Sequence, residues 1–150
     1  MSEGREASYD RFTCPHCDAE LNPGRGPIIQ MRGELEAPCF SVTTDVFVSS
    51  GLGVYEGLTA TGVVLREGAK IEFSCPQCGA SFSQSGQDEL AQVRMRDSAG
   101  RAFLVSFNKR FGKRSTFVID PDKRQVERQF GDDAASYRAD LDKALNFFGS

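Results

Sequence analysis

The chain has 150 residues, 39% hydrophobic and 26% charged, with 15 glycines and no tryptophan. That length supports one ordinary domain, or two small ones sharing a core, around a lean apolar interior that a covalent or metal staple would strengthen. A net charge of −3 argues against a dedicated non-specific nucleic-acid binder, and the longest apolar runs, such as Phe103-Leu104-Val105, are too short to cross a bilayer.

In chain order, the first ten residues, MSEGREASYD, are charged and polar. No apolar stretch follows, so they do not read as a secretory signal; a mobile tail on a cytoplasmic protein is expected. After a first CxxC, NPGRGP (22–27) is a turn-rich loop. Residues 28–48 read as strand, with Phe40, Val42, Thr44, Val46 and Val48 on alternate positions. SSGLGVYEG (49–57) reads as a loop or wide hairpin; its glycines lack the spacing of a phosphate loop. Residues 58–66 predict another strand, and Ile71 and Phe73 lead a short one into a second CxxC.

SQSGQD (83–88) separates this half from the next. Four strands are then expected: 90–96, one through Phe103, Val105 and Phe107, STFVID (115–120), and QVERQF (125–130). They form an antiparallel meander. Asp132 and Asp133 offer an N-cap, and Tyr137, Leu141, Leu145 and Phe148 share one helical face. The helix most simply covers the open face of the meander. The fold class is therefore α+β, β-rich, with antiparallel sheets and a C-terminal helix. Its parts are a tail (1–10), a knuckle-bearing β domain with inserted strands (11–86) and a meander plus helix (87–150), packed as one unit.

One phrase occurs twice: FTCPHCDAEL at 12–21 and FSCPQCGASF at 73–82. In a Cys-Pro-x-Cys turn two thiolates converge on one point. Two such turns, Cys14/Cys17 and Cys75/Cys78, supply a complete tetrahedral shell for zinc. The repetition follows, because the ion needs two half-sites. Phe12 and Phe73, each two positions before the first cysteine, are expected to pack beneath the knuckles in equivalent ways. Five cysteines without an export signal point away from a disulfide framework.

The phrase resembles the zinc ribbon and rubredoxin-like group, in which two such knuckles at hairpin tips clamp one metal. Asp18 stands where glycine is usual, and 57 residues separate the knuckles, so residues 28–72 read as an inserted β-structure. The resemblance implies zinc at Cys14, Cys17, Cys75 and Cys78. Iron, alone or in an iron–sulfur cluster, is the alternative for the same shell. A closed four-thiolate shell leaves no open position for water, which favours a structural ion over a catalytic one.

Thiol–disulfide chemistry wants the first cysteine at a helix N-terminus, but Asn22-Pro23-Gly24 allows barely one helical turn after CPHC. His16, the sole histidine, lies between two ligands, so Ser-His and Cys-His catalysis are poorly supported. Cys39 begins an apolar strand and reads as core. Residues 101–131 hold 8 basic and 3 acidic side chains, a +5 island against −6 in residues 1–100. Within it, Lys109, Arg110, Lys113 and Arg114 bracket Phe111-Gly112. On a hairpin tip they suit a phosphate backbone or an acidic protein partner, with Lys123, Arg124 and Arg128 joining from a neighbouring hairpin. A merely solvated loop is the plainer alternative. The expected function is a non-catalytic zinc-binding accessory or interaction subunit of a larger assembly. A nucleic-acid-binding zinc ribbon and an iron-containing electron-transfer module are the alternatives.

Overall fold

The computed structural model describes residues 10–36, 41–52, 57–59, 68–84 and 87–148. The expected N-terminal tail (except Asp10), Cys39, residues 53–56 of the 49–57 loop and residues 60–66 of the 58–66 strand lie outside those residues.

The described residues form ten strands and one long helix. They are β1 (Arg11–Thr13), β2 (Ile28–Glu36), β3 (Ser41–Ser49), β4 (Gly57–Thr59), β5 (Ile71–Ser74), β6 (Ser83–Gln84), β7 (Gln87–Arg96), β8 (Ala102–Asn108), β9 (Thr116–Asp120), β10 (Gln125–Phe130) and α1 (Ala134–Phe148). The first sheet runs β4-β3-β2-β5. The second runs β1-β7-β8-β9-β10, with β6 also on β7. Every pairing between these strands is antiparallel. The β1 and β6 strands precede residue 87 yet belong to the second sheet, so the sheets do not follow the sequence boundary.

The second sheet is the middle of three layers. Along β7, Ala91, Val93 and Met95 face a large core shared with Ile29, Met31, Val46, Ile71 and Phe73 of the first sheet. Leu90 faces the other way, with Phe117 and Ile119 of β9 and Ala134, Leu141 and Leu145 of α1. Burial of both faces explains why β9 is a continuous apolar run, TFVID, rather than an alternating one. The helix does cover the meander, through Leu141, Leu145 and half-buried Tyr137. Asp133 stands just before it, but its carboxylate accepts the Arg114 N–H at 2.8 Å, pinning the preceding loop to the helix start.

Close packing also explains a glycine inside a strand. A Cβ on Gly33 of β2 would lie 2.5 Å from Val46 Cγ2 and 2.8 Å from Ile71 Cγ2. A strand-like join links the sheets. The N–H of Ile71 donates to the Lys109 carbonyl, the N–H of Phe111 to the Ala69 carbonyl, and the N–H of Gly68 to the Phe111 carbonyl.

Candidate metal centre

The two copies of the repeated phrase fold alike, bond for bond. The N–H of Cys14 donates to the Ala19 carbonyl, and that of Cys75 to the Ala80 carbonyl, both at 2.9 Å. The N–H groups of Asp18 and Gly79 donate back to the carbonyls of Cys14 and Cys75. Leu21 and Phe82 close the hairpins onto Phe12 and Phe73. Each turn needs a left-handed residue after its second cysteine. Gly79 takes φ 77° and Asp18 takes φ 65°, the strain that aspartate tolerates better than most side chains.

This backbone aims N–H groups at sulfur. Cys14 Sγ receives those of His16 (3.3 Å) and Cys17 (3.4 Å). Cys75 Sγ receives those of Gln77 (3.3 Å) and Cys78 (3.4 Å). Cys14 and Cys75 are buried, whereas Cys17 and Cys78 are exposed. Phe12 and Phe73 lie beneath them in one core, as the repeat predicts.

All four Sγ atoms lie within 4.8 Å of one another. Cys14 and Cys78 are 3.8 Å apart, and Cys17 and Cys75 are 3.6 Å apart. A disulfide would need about 2.0 Å. Four thiolates at about 2.3 Å from a central ion stand about 3.8 Å from each other, so the donor set fits one tetrahedral ion. The electrostatics of the sulfurs reflect how crowded they are. Burial pushes the Cys75 thiol up, but the N–H groups of Cys78 and Gln77 and the thiols of Cys17 and Cys14 outweigh it, bringing it to about 7. At Cys17 a backbone bond from Ala19 favours the thiolate. Burial and the sulfurs of Cys75, Cys78 and Cys14 overcome it and raise the thiol to about 12. Burial raises Cys14 as well. One thiolate forms readily and its neighbours resist, a conflict that a shared cation removes.

The knuckles stand on different sheets. Cys14 follows β1 of the second sheet, and Cys75 follows β5 of the first. An ion held by all four sulfurs therefore cross-links the two layers.

Two supporting side chains were not singled out from the sequence. Asn22, fully buried, accepts the Phe12 N–H at 2.7 Å and donates to the carbonyls of Asp10 (2.7 Å) and Gly26 (3.2 Å). In sequence it reads only as part of a turn. Asn22→Ala takes this partner from the Phe12 N–H and the Asp10 carbonyl beneath the first knuckle, while the Gly26 carbonyl keeps the Ser50 hydroxyl. We expect it to destabilise the metal-loaded protein by about 3 kcal/mol in urea unfolding; a change under about 0.5 kcal/mol would contradict this role. Arg94 of β7 donates to the Pro15 carbonyl at 3.2 Å and approaches Asp18 at 3.4 Å, bracing the same knuckle.

The basic island does not form the single cationic tip that the sequence suggests. Lys109 is 3% exposed; its Nζ lies 2.7 Å from Glu72 Oε1 and donates to Ser83 Oγ at 2.8 Å. Arg110 pairs with Glu89 and donates to the Gly68 carbonyl. Lys70 bridges Glu72 and Glu89, 3.6 Å from each. The result is an alternating chain, Lys109–Glu72–Lys70–Glu89–Arg110. Burial opposes ionisation of Glu72, but Lys109 and Lys70 hold its carboxyl below the usual range. Arg110 does the same for Glu89. Phe111 is half-buried, and Lys113 and Arg114 are exposed. Lys123 and Arg124 lie at the opposite end of β9, five residues away, about 17 Å at about 3.3 Å per residue. Arg128 stacks over Phe130, 5.8 Å from the ring centroid. Lys123 and Arg124 do not join the 109–114 loop; Arg128 lies on β10, opposite Val118.

No protein-family model, curated protein or solved structure matches this chain. The zinc-ribbon likeness therefore rests on the four-cysteine cluster itself. Among the described residues, no helix is long and apolar enough to cross a membrane.

Proposed function

We propose that this chain is a non-catalytic zinc protein, an accessory or interaction subunit in which a structural ion clamps two sheets together and the outer surface meets a protein partner. The observation that carries the reading is the closed set of four sulfurs, 3.6 and 3.8 Å apart across the two knuckles. A tetrahedron completed by protein thiolates offers no position for substrate or water, so the ion's role is to hold the fold. The tight spacing supports a single ion over a four-iron cluster, in which each thiolate binds its own iron.

The partner surface follows from exposure. In the described structure β10 pairs on one side only, with β9. Lys123, Arg124 and Arg128 are exposed along it and its turn. An edge strand of this kind invites a neighbour, and its charges suit an acidic one. Native isolation tests the reading. We expect a stoichiometric protein partner that dissociates at high salt and fails to associate with a Lys123, Arg124, Arg128 to glutamate variant. A natively isolated monomer of 16.4 kDa would overturn it.

Nucleic-acid binding has lost two of its four tip cations to ion pairs. Salt-sensitive binding abolished by replacing Lys113 and Arg114 with alanine would nonetheless replace the protein-partner reading.

A further inference from the structure

A second site lies beneath the metal centre. A cavity of about 130 Å³ opens between the two sheets. Its inner wall is apolar, formed by buried Phe12, Met31, Val46, Phe73, Val93 and Val105. Its outer wall is formed by residues 49–52 after β3 and by the 108–113 loop. The two walls differ in chemistry. Among the described lining residues the charged ones are Lys109, Arg110 and Lys113, and no carboxylate is present.

The charge balance sharpens this asymmetry. The ion chain Lys109–Glu72–Lys70–Glu89–Arg110 contains three cations and two carboxylates held ionised, a formal excess of one positive charge. Lys113, exposed at the rim, adds a second. A cavity of about 150 Å³ with similar walls holds one benzene ring, so this volume suits one aromatic ring or a short alkyl chain. We propose that the cavity binds a small apolar monocarboxylate, its hydrocarbon part between the sheets and its carboxylate at the Lys113 rim. Apolar burial supplies the affinity, and the excess of positive charge among the described residues selects an anion over its neutral counterpart.

Titration of the metal-loaded full chain tests this, with binding followed by amide NMR shifts. Benzoate and hexanoate are the probes, and benzyl alcohol and hexan-1-ol are their neutral counterparts. Both carboxylates should shift the Val46, Val105 and Gly112 amides and bind about tenfold more tightly than the alcohols. Lys113→Glu, an exposed change, should erase that preference and leave alcohol binding unaltered. Val48→Phe, on the half-buried cavity wall, should abolish binding of all four. Equal affinity of acid and alcohol for the native chain would overturn the proposal. So would an unchanged preference in Lys113→Glu, or no saturable carboxylate binding at millimolar concentration. None of these outcomes depends on whether a protein partner exists.

Discussion

Cys75→Ser is expected to leave the chain largely unfolded at room temperature. Structural zinc contributes on the order of 10 kcal/mol to folding of small domains, and whole domains are stable by only about 5–15 kcal/mol. Cys75 is the most damaging position for three reasons. It is buried at 1% exposure, it forms its thiolate most readily, and its knuckle stands on the first sheet. Losing it opens the tetrahedron and frees one layer from the other. Circular dichroism and amide dispersion would show the loss, and a strong chelator should bring the native chain to the same state. In the variant the chelator should change nothing. Because the thiols must lose protons to bind metal, affinity should fall as pH drops, already below about 12 where Cys17 holds its proton, and more steeply below about 7 where Cys75 is protonated as well. A Cys75→Ser protein melting within a few degrees of the native one would show that the clamp is dispensable.

Phe12→Ala should cost about 3–5 kcal/mol, the range for truncating a buried aromatic side chain. Phe12 is 2% exposed and lies in the core that holds Cys14 and Cys75. It also lines the inter-sheet cavity, so truncation enlarges a space that neighbouring side chains already leave unfilled. Little collapse is available to offset the loss, which places the effect toward the upper end of that range. Denaturant unfolding with metal held in excess measures it, since the four sulfurs are retained. A loss below about 1 kcal/mol would mean that the knuckle does not rest on this ring.

The parts legible in the sequence are those written locally. The two knuckles could be read because cysteine spacing, proline and the left-handed residue after the second cysteine are all set within a few positions. The meander could be read because β7 and β8 place apolar side chains on alternate positions and β9 is a short apolar run between turns, and the helix because Leu141 and Leu145 fall on one face. Pairing across long separations could not be read. Arg11–Thr13 joins residues 94–96 of the second sheet, and no local pattern distinguishes that neighbour from a strand of the first. This pairing is what turns a repeated motif into a clamp between layers.

Charge was the most misleading signal. Lys109 and Arg110 look in sequence like the surface of a cationic tip, because their partners Glu72 and Glu89 lie far back in the chain. The join between residues 68–71 and 109–111 brings Glu72 within reach, and the β7–β8 pairing, continued by the Lys109 N–H to the Glu89 carbonyl, brings Glu89. In sequence Lys123 and Arg124 stand close to that tip, yet one strand of five residues places them at its far end. Asn22 was hidden for a different reason: a turn residue and a buried bracket share one amino-acid type.

The most direct test of the central claim is the metal content of the chain, isolated without added metal and without oxygen. We predict a colourless protein holding one zinc per chain, with Cys14, Cys17, Cys75 and Cys78 protected from thiol reagents until a chelator is added. A folded, metal-free chain whose four cysteines react at once would contradict the account.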